Sequence, residues 1–159
     1  MRVLIVSDTH GRHSNLELVL RRVGEIDMMV HCGDVEDGED YIRSLVNCKL
    51  HMVRGNNDFF SQLPREDIFQ IGTYPVFLTH GHTYHVGMGI EPLKNAAIDR
   101  GTAIAMYGHT HRPLIDQTGS VTIINPGSLS QPRQENHKPS FIMMDIDRFG
   151  LAHFALNYL

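Results

Sequence analysis

The chain has two cysteines, no tryptophan, and aromatic residues at only 8% of its 159 positions. Cys32 and Cys48 are too few to form a disulfide framework and read as reduced, packed thiols. Basic residues are also scarce. Fourteen Lys and Arg against 18 Asp and Glu give a formal net charge of −4, which offers no general attraction to nucleic acid or to an anionic membrane. A basic stripe with interleaved aromatics, the pattern that grips single strands, is missing as well. No apolar run approaches the ~20 residues needed to span a bilayer. The run from Val3 to Val6 is too short for a signal-peptide core, and no small-residue cleavage site follows it. The expectation is a soluble, cytoplasmic protein. Without repeats, low-complexity stretches or linkers, residues 1–159 read as a single domain with a substantial core.

What the chain does have is a series of short apolar runs. Val3-Leu-Ile-Val6, Met28-Met-Val-His-Cys32 and Leu50-His-Met-Val53 each end at a polar turn and predict strands buried on both faces. Between them, Ser14 and Glu17 fit a capping box ahead of an apolar face of Leu16, Val19, Leu20 and Val23. Asp37 is placed to cap a second helix that turns Ile42, Leu45 and Val46 inward. This alternation implies parallel βαβ units. Further strands are expected at 76–79, 103–107, 121–124, 141–144 and 151–158. Pro92 should start a helix, with Leu93, Ala96 and Ala97 inward, that Gly101 ends. Asp147-Arg-Phe-Gly150 reads as a hairpin turn, and the short connections predict a largely antiparallel second half. The fold expected is α/β, a two-sheet β-sandwich flanked by helices, with mixed parallel and antiparallel strands.

Five polar patches sit at the ends of the apolar runs: Asp8-Thr9-His10, Gly33-Asp34, Gly55-Asn56-Asn57-Asp58, His80-Gly81-His82 and Gly108-His109-Thr110-His111. In an open α/β sheet, functional groups collect beyond the carboxyl ends of the strands. Residues two apart, such as Asp8 with His10 and His109 with His111, share a face in extended chain. Carboxylate, imidazole and amide ligands without thiolate favour Mn, Fe, Co, Ni or Zn in a site unlike a thiolate-held structural zinc. Asp34 is the candidate bridge between two ions. A pair of ions ~3.5–4 Å apart can share a hydroxide that attacks phosphorus, polarise a phosphoryl oxygen and steady the leaving oxygen. His82 can reach a substrate oxygen or a ligand, and His85 is a weaker candidate. His13, His51, His137 and His153 read as surface or structural, and His31 as core. Arg12, Arg112 and Arg133 lie near the motifs, with Arg133 the best phosphate contact because it closely follows Asn125-Pro-Gly-Ser128.

The order Asp-x-His, Gly-Asp, Gly-Asn-x-Asp, His-Gly-His, Gly-His-x-His resembles the calcineurin-like metallophosphoesterase superfamily over residues 1 to about 133. The opening Met-Arg-Val-Leu-Ile-Val-Ser-Asp-Thr-His-Gly and the late Asn125-Pro-Gly-Ser128 look most like its small bacterial and archaeal phosphodiesterase branch. The resemblance implies a two-sheet sandwich. It places Asp8, His10, Asp34 and His111 around one metal and Asp34, Asn56, His80 and His109 around the other, with manganese the usual activator. Many members of the family have a histidine where this chain has Asn57. An amide can donate a hydrogen bond to a phosphoryl oxygen but is no general acid near neutral pH. A leaving-group proton would then come from water or from a residue such as His82, which favours activated or phenolic esters.

The expected activity is that of a divalent-metal-dependent phosphodiesterase on small phosphodiesters. One alternative is a protein-interaction scaffold of the same fold. The other is a nuclease, although the chain has no room for a domain that holds nucleic acid. The partner expected is a small phosphoester. Relatives of this kind are often dimers or larger, so a second copy of the chain is a further candidate, although no interface is legible.

Overall fold

The computed structural model describes all of residues 1–159. In chain order the elements are β1 (Arg2–Val6), α1 (Ser14–Val23), β2 (Met28–His31), α2 (Glu39–Leu45), β3 (Lys49–Met52), β4 (Glu66–Ile71), β5 (Tyr74–Thr79), a single 3-10 turn (His82–Tyr84), α3 (Glu91–Asp99), β6 (Ile104–Met106), β7 (Leu114–Asp116), β8 (Thr122–Asn125), β9 (Ser140–Ile146) and β10 (Ala152–Tyr158). They form two five-stranded sheets, in the orders β10-β9-β1-β2-β3 and β4-β5-β6-β8-β7.

The apolar runs are buried on both faces because each strand feeds two cores. In β1, Val3 and Ile5 join Met28, Val30, Val76, Leu78, Ile104, Met106, Ile142 and Met144 between the sheets. Their neighbours Leu4 and Val6 point the other way, onto Leu16 and Val19 of α1 and Ile42 of α2. In the second sheet Phe77, Ala105 and Ile123 face outward onto Leu93 and Ala97 of α3. Fully burying each such Val, Leu, Ile or Phe is worth about 1.5–3 kcal/mol, so the alternation pins strand register as well as the layers.

Three expectations need correction. His13, not Ser14, is the residue before α1, and no side chain caps that helix. The α2 helix starts at Glu39 with Gly38 in the cap position; Asp37 lies earlier, with left-handed backbone (φ 61°). The second half is antiparallel at β4–β5, β7–β8 and β9–β10 but not throughout. Helix α3 crosses between β5 and β6, which therefore pair parallel, and β6 pairs β8 parallel too. Strands β9 and β10 leave that sheet altogether, and β9 pairs antiparallel with β1. The 147–150 turn joins β9 to β10 as expected, Gly150 N donating to Asp147 O at 3.0 Å.

This topology aligns the ends of β1, β2, β3, β5 and β6, and the loops that leave them meet. At the far side of the sandwich, His51 on β3 reaches Asp67 on β4 (Nδ1 to Oδ2, 2.6 Å) and stacks on Phe69, tying the two sheet edges together.

Candidate metal centre

Five residues at these strand ends adopt the left-handed backbone region: Asp8 (φ 55°), His10 (46°), Asp34 (55°), His109 (66°) and His111 (57°). A side chain in that region costs of order 1–3 kcal/mol and persists only where its surroundings over-determine it. Here cross-loop hydrogen bonds do so. Asp8 N donates to Gly33 O (3.0 Å) and His10 N to Asp34 O (3.0 Å). The hydroxyls of Ser128 and Ser130 both donate to Asp8 O, at 2.8 and 2.9 Å. Asp58 accepts from Glu36 N and Gly55 N, both at 2.7 Å. Two glycines permit the approach. A Cβ at Gly55 would fall on the carboxylate of Asp34, and one at Gly33 would meet the ring of His80.

His31 lies beneath these loops as a fully buried strut. Its Nδ1 accepts from Gly33 N (3.2 Å), which leaves the proton on Nε2 to donate to Thr9 Oγ1 (3.1 Å). Burial lowers its pKa to about 4, although Asp8 and Asp58 pull the other way.

Ligand atoms of Asp8, His10, Asp34 and His111 all lie within 4.8 Å of one another. The tautomers follow from their partners. His111 Nδ1 donates to Gln131 O (2.7 Å) and His10 Nδ1 to Glu36 Oε1 (2.6 Å). Each neutral ring therefore turns a lone pair on Nε2 inward. These lone pairs meet carboxylate oxygens: His111 Nε2 is 3.0 Å from Asp8 Oδ1, and His10 Nε2 is 3.8 Å from both Asp8 Oδ1 and Asp34 Oδ2. Asp8 Oδ1 is buried with no donor. Acceptors gathered this closely repel one another unless a cation lies among them, and the donor set suits a divalent transition metal.

A second group adjoins the first through Asp34. Asp34 Oδ2 is 3.4 Å from His80 Nε2. Asn56 Oδ1 is 3.2 Å from His80 Nε2 and 2.9 Å from His109 Nδ1. His80 Nδ1 donates to Cys32 O (2.7 Å), so this ring also points Nε2 into the site. Burial by itself would push the Asp34 carboxyl up, yet the adjacent His80 ring and hydrogen bonds from Asn57 hold it well below the usual carboxylate range. Burial likewise opposes the charged form of His80, but Asp34 and Asp8 raise its pKa. Burial, then the neighbouring His80, lowers that of His109. All seven residues expected to ligate metal are thus brought together, in two groups that share Asp34.

The other expected site residues lie at the rim. Asn57 donates its backbone N–H to Asp34 Oδ1 (2.9 Å) and its amide to Oδ2 (2.7 Å). Arg133 lines a cavity of about 280 Å³ with His10, Asp34, Asn56, Asn57, His109 and His111. Arg112 is turned aside, its Nε donating to Arg133 O at 3.2 Å, and Arg12 is exposed outside that cavity. His82 begins the 3-10 turn, its ring 5.5 Å from that of His80. Burial first, then His80 and His109, lower its pKa. His85 is exposed and does not join the centre.

Two further cavities flank the central one. One of about 240 Å³ shares Asn56 and contains Arg54, Gly55, Asp58, Phe59, Arg65 and His82. The other, of about 460 Å³, shares His109 and Arg133 and has Val86, Tyr107, Pro113 and Leu114 in its walls. A larger cavity, of about 620 Å³, lies away from the centre among Leu20, Ile26, Leu45 and Val46 and holds none of these groups.

Sequence reasoning missed Glu36, which orients His10, and gave no role to Asp58, which pins two loops. It also overlooked Arg54, although that residue directly precedes the Gly55 motif. A carboxylate two residues after Asp34 was a weak signal at best. The partner of Glu36 lies 26 residues away, beyond any local pattern.

The sequence matches the calcineurin-like phosphoesterase superfamily domain over residues 1–148. A probable metallophosphoesterase of Methanocaldococcus jannaschii is 33% identical over 138 residues, 84% of this chain and 70% of that protein. A phosphodiesterase of the same organism is 26% identical, over 80% of this chain and 83% of that one. The crystal structure of a predicted phosphoesterase from Streptococcus pneumoniae superposes with a TM-score of 0.81 at 30% identity, covering 99% of this chain and 88% of the other. Vps29 of Entamoeba histolytica, solved with zinc, shares the fold at 23% identity and a TM-score of 0.78, covering 99% of each chain.

Proposed function

The chain belongs to the calcineurin-like phosphoesterase superfamily, and from that premise we propose that it is a divalent-metal-dependent phosphodiesterase acting on small phosphodiesters. The observation that carries this reading is the convergence of acceptor atoms from Asp8, His10, Asp34 and His111 within 4.8 Å, with Asp8 Oδ1 buried and unpartnered among them. These four residues would hold one ion. Asp34, Asn56, His80 and His109 would hold the other, with Asp34 as the bridge. When bound, such a pair acidifies water and neutralises charge on phosphoryl oxygens. The absence of thiolate leaves Mn, Fe, Zn, Ni and Co as candidates, with manganese first on the family resemblance.

The chain's own residues supply positioning. Glu36, Cys32 O and Gln131 O fix the tautomers of His10, His80 and His111. Asn57 spends one amide N–H on Asp34 Oδ2 and has a second to offer a phosphoryl oxygen, and Arg133 offers a guanidinium at the rim. His82 is held neutral near pH 7. It is suited to donate a hydrogen bond to the leaving oxygen and is a weak source of a full proton, which keeps activated and phenolic esters the favoured substrates. A diester is favoured over a monoester because the central cavity shares lining residues with two further cavities, Asn56 with one and His109 and Arg133 with the other. A diester has a substituent for each, whereas a monoester leaves one of them idle.

The same proposal treats residues 1–159 as one domain and places the enzyme in the cytoplasm, in keeping with its two free cysteines. No helix is long and apolar enough to cross a membrane. The scaffold alternative is disfavoured by the complete ligand set. The nuclease alternative is disfavoured by the charge of −4. The test is a panel of bis(p-nitrophenyl) phosphate and p-nitrophenyl phosphate on metal-stripped protein with each divalent ion restored in turn. Metal-dependent cleavage of the diester in preference to the monoester is expected. Equal rates with and without metal would overturn the reading.

A further inference from the structure

The cavity beyond Asn56 has an unusual lining. Of its seven residues only Phe59 is apolar, and two are arginines, Arg54 and Arg65. Neither arginine pairs with a carboxylate; the ion pairs of the chain involve Arg2, Arg21, Lys94 and Arg100 as the Arg and Lys partners. The one side-chain contact of Arg54 is a long 3.5 Å approach to Ser61 O. The carboxylate in the wall, Asp58, is committed to two backbone N–H groups. His82 completes the wall. Phe59 stands beside them at 77% exposure.

The opposite flank differs. It too holds two arginines, Arg112, whose Nε donates to Arg133 O, and Arg133, which it shares with the central cavity, but Val86, Pro113 and Leu114 furnish an apolar wall that the Arg54 side lacks. The two sides of the centre therefore present different chemistry to the two substituents of a diester. Unpaired guanidinium groups meeting in a small concave site match a carboxylate or phosphate oxygen, which each can grip through two parallel N–H donors.

Building on the phosphodiesterase reading, we propose that the pocket formed by Arg54, Arg65, His82 and Phe59 binds an anionic group, a carboxylate or a phosphate, carried on one substituent of the substrate. The preferred substrate is then a diester with a second negative charge a few bonds from the scissile phosphorus. The other substituent, on the Val86 and Leu114 side, has apolar wall to pack against.

The test uses two matched esters, p-nitrophenyl propyl phosphate and its analogue with a terminal carboxylate on the propyl chain. The metal-loaded chain should favour the carboxylated ester in kcat/KM by roughly tenfold or more, the worth of one charged hydrogen-bonded contact, chiefly through KM. Arg54→Gln and Arg65→Gln should each collapse that ratio, while Arg148→Gln, at the distant 147–150 turn, should preserve it. Equal use of the two esters, or a ratio that survives both arginine changes, overturns the pocket. If neither ester is cleaved with any metal, the phosphodiesterase reading fails and a binding measurement decides the pocket. Inorganic phosphate is titrated into metal-stripped protein, whose central carboxylates repel anions, and backbone amide resonances are followed. Saturable shifts at residues 54–65 and 82 that vanish in Arg65→Gln support the pocket, and their absence refutes it. Phosphate and carboxylate probes run side by side identify which anion it takes.

Discussion

His10 Nε2 lies 3.2 Å from His111 Nε2, and each ring has already committed its other nitrogen to an oxygen acceptor. Two imidazole lone pairs cannot satisfy each other, and the oxygens nearest them belong to Asp8 and Asp34. A cation among these four side chains would relieve both lone pairs.

The first prediction is thermal. Metal-stripped chain should unfold at a lower temperature than chain given excess Mn²⁺. A ligand at a hundred times its Kd stabilises by about 2.7 kcal/mol, which is several degrees for a domain of this size. Asp34→Asn should lose most of that shift, and metal analysis should find fewer ions per chain. A variant with native metal content and native turnover would refute the bridging role.

Glu36 supplies the second prediction. Glu36→Gln keeps the side-chain size but weakens the grip on His10 Nδ1. Metal affinity should fall about 10–100-fold, the usual cost of losing a group that orients a ligand, while the unfolding temperature of the stripped protein changes little because Glu36 is partly exposed. Calorimetric titration of stripped protein with Mn²⁺ checks both statements.

Asn57→Ala removes the amide donor to Asp34 Oδ2 and keeps the backbone bond to Oδ1. The rate should drop by roughly 10–100-fold, as for one charge-assisted hydrogen bond, with metal content retained. Metal loss in step with the rate would instead make Asn57 a clamp on the carboxylate.

The fourth prediction concerns pH. His31 has a folded-state pKa of about 4, below its unfolded value of about 6.5. Between those values the unfolded chain binds the proton and the folded chain does not. Stability of the stripped protein should therefore fall as pH drops from 6.5 toward 4 and level off below. The loss should reach about 3 kcal/mol, since each pKa unit is about 1.4 kcal/mol. His31→Gln should flatten that part of the profile, measured as urea midpoint against pH.

Most strands were legible because runs such as Val3–Val6 and Val76–Thr79 are apolar on both faces, a local signal. Strand β4 was missed because, on this edge strand, only Phe69 and Ile71 are buried, and three polar residues, Glu66, Asp67 and Gln70, share its six positions. Strand β7 has three residues and none buried. The placement of β9 beside β1 was illegible, since nothing in Phe141–Met144 names a partner more than 130 residues earlier. At the site, residue types and their positions at strand ends pointed to the seven side chains that converge. Their left-handed backbones did not show, because a sequence flags that region only through glycine. Nor did the tautomers, which depend on Cys32 O, Glu36 and Gln131 O in other loops.

The pairing of β1 with β9 also bears on how the molecule is made. Arg2–Val6 leaves the ribosome more than 130 residues before Ser140–Ile146, and one of its two flanks stays open until that strand is synthesised. The nascent chain must carry a bare apolar edge while the residues between the two strands are made, and the cluster beyond Val6 can settle only once that late strand docks.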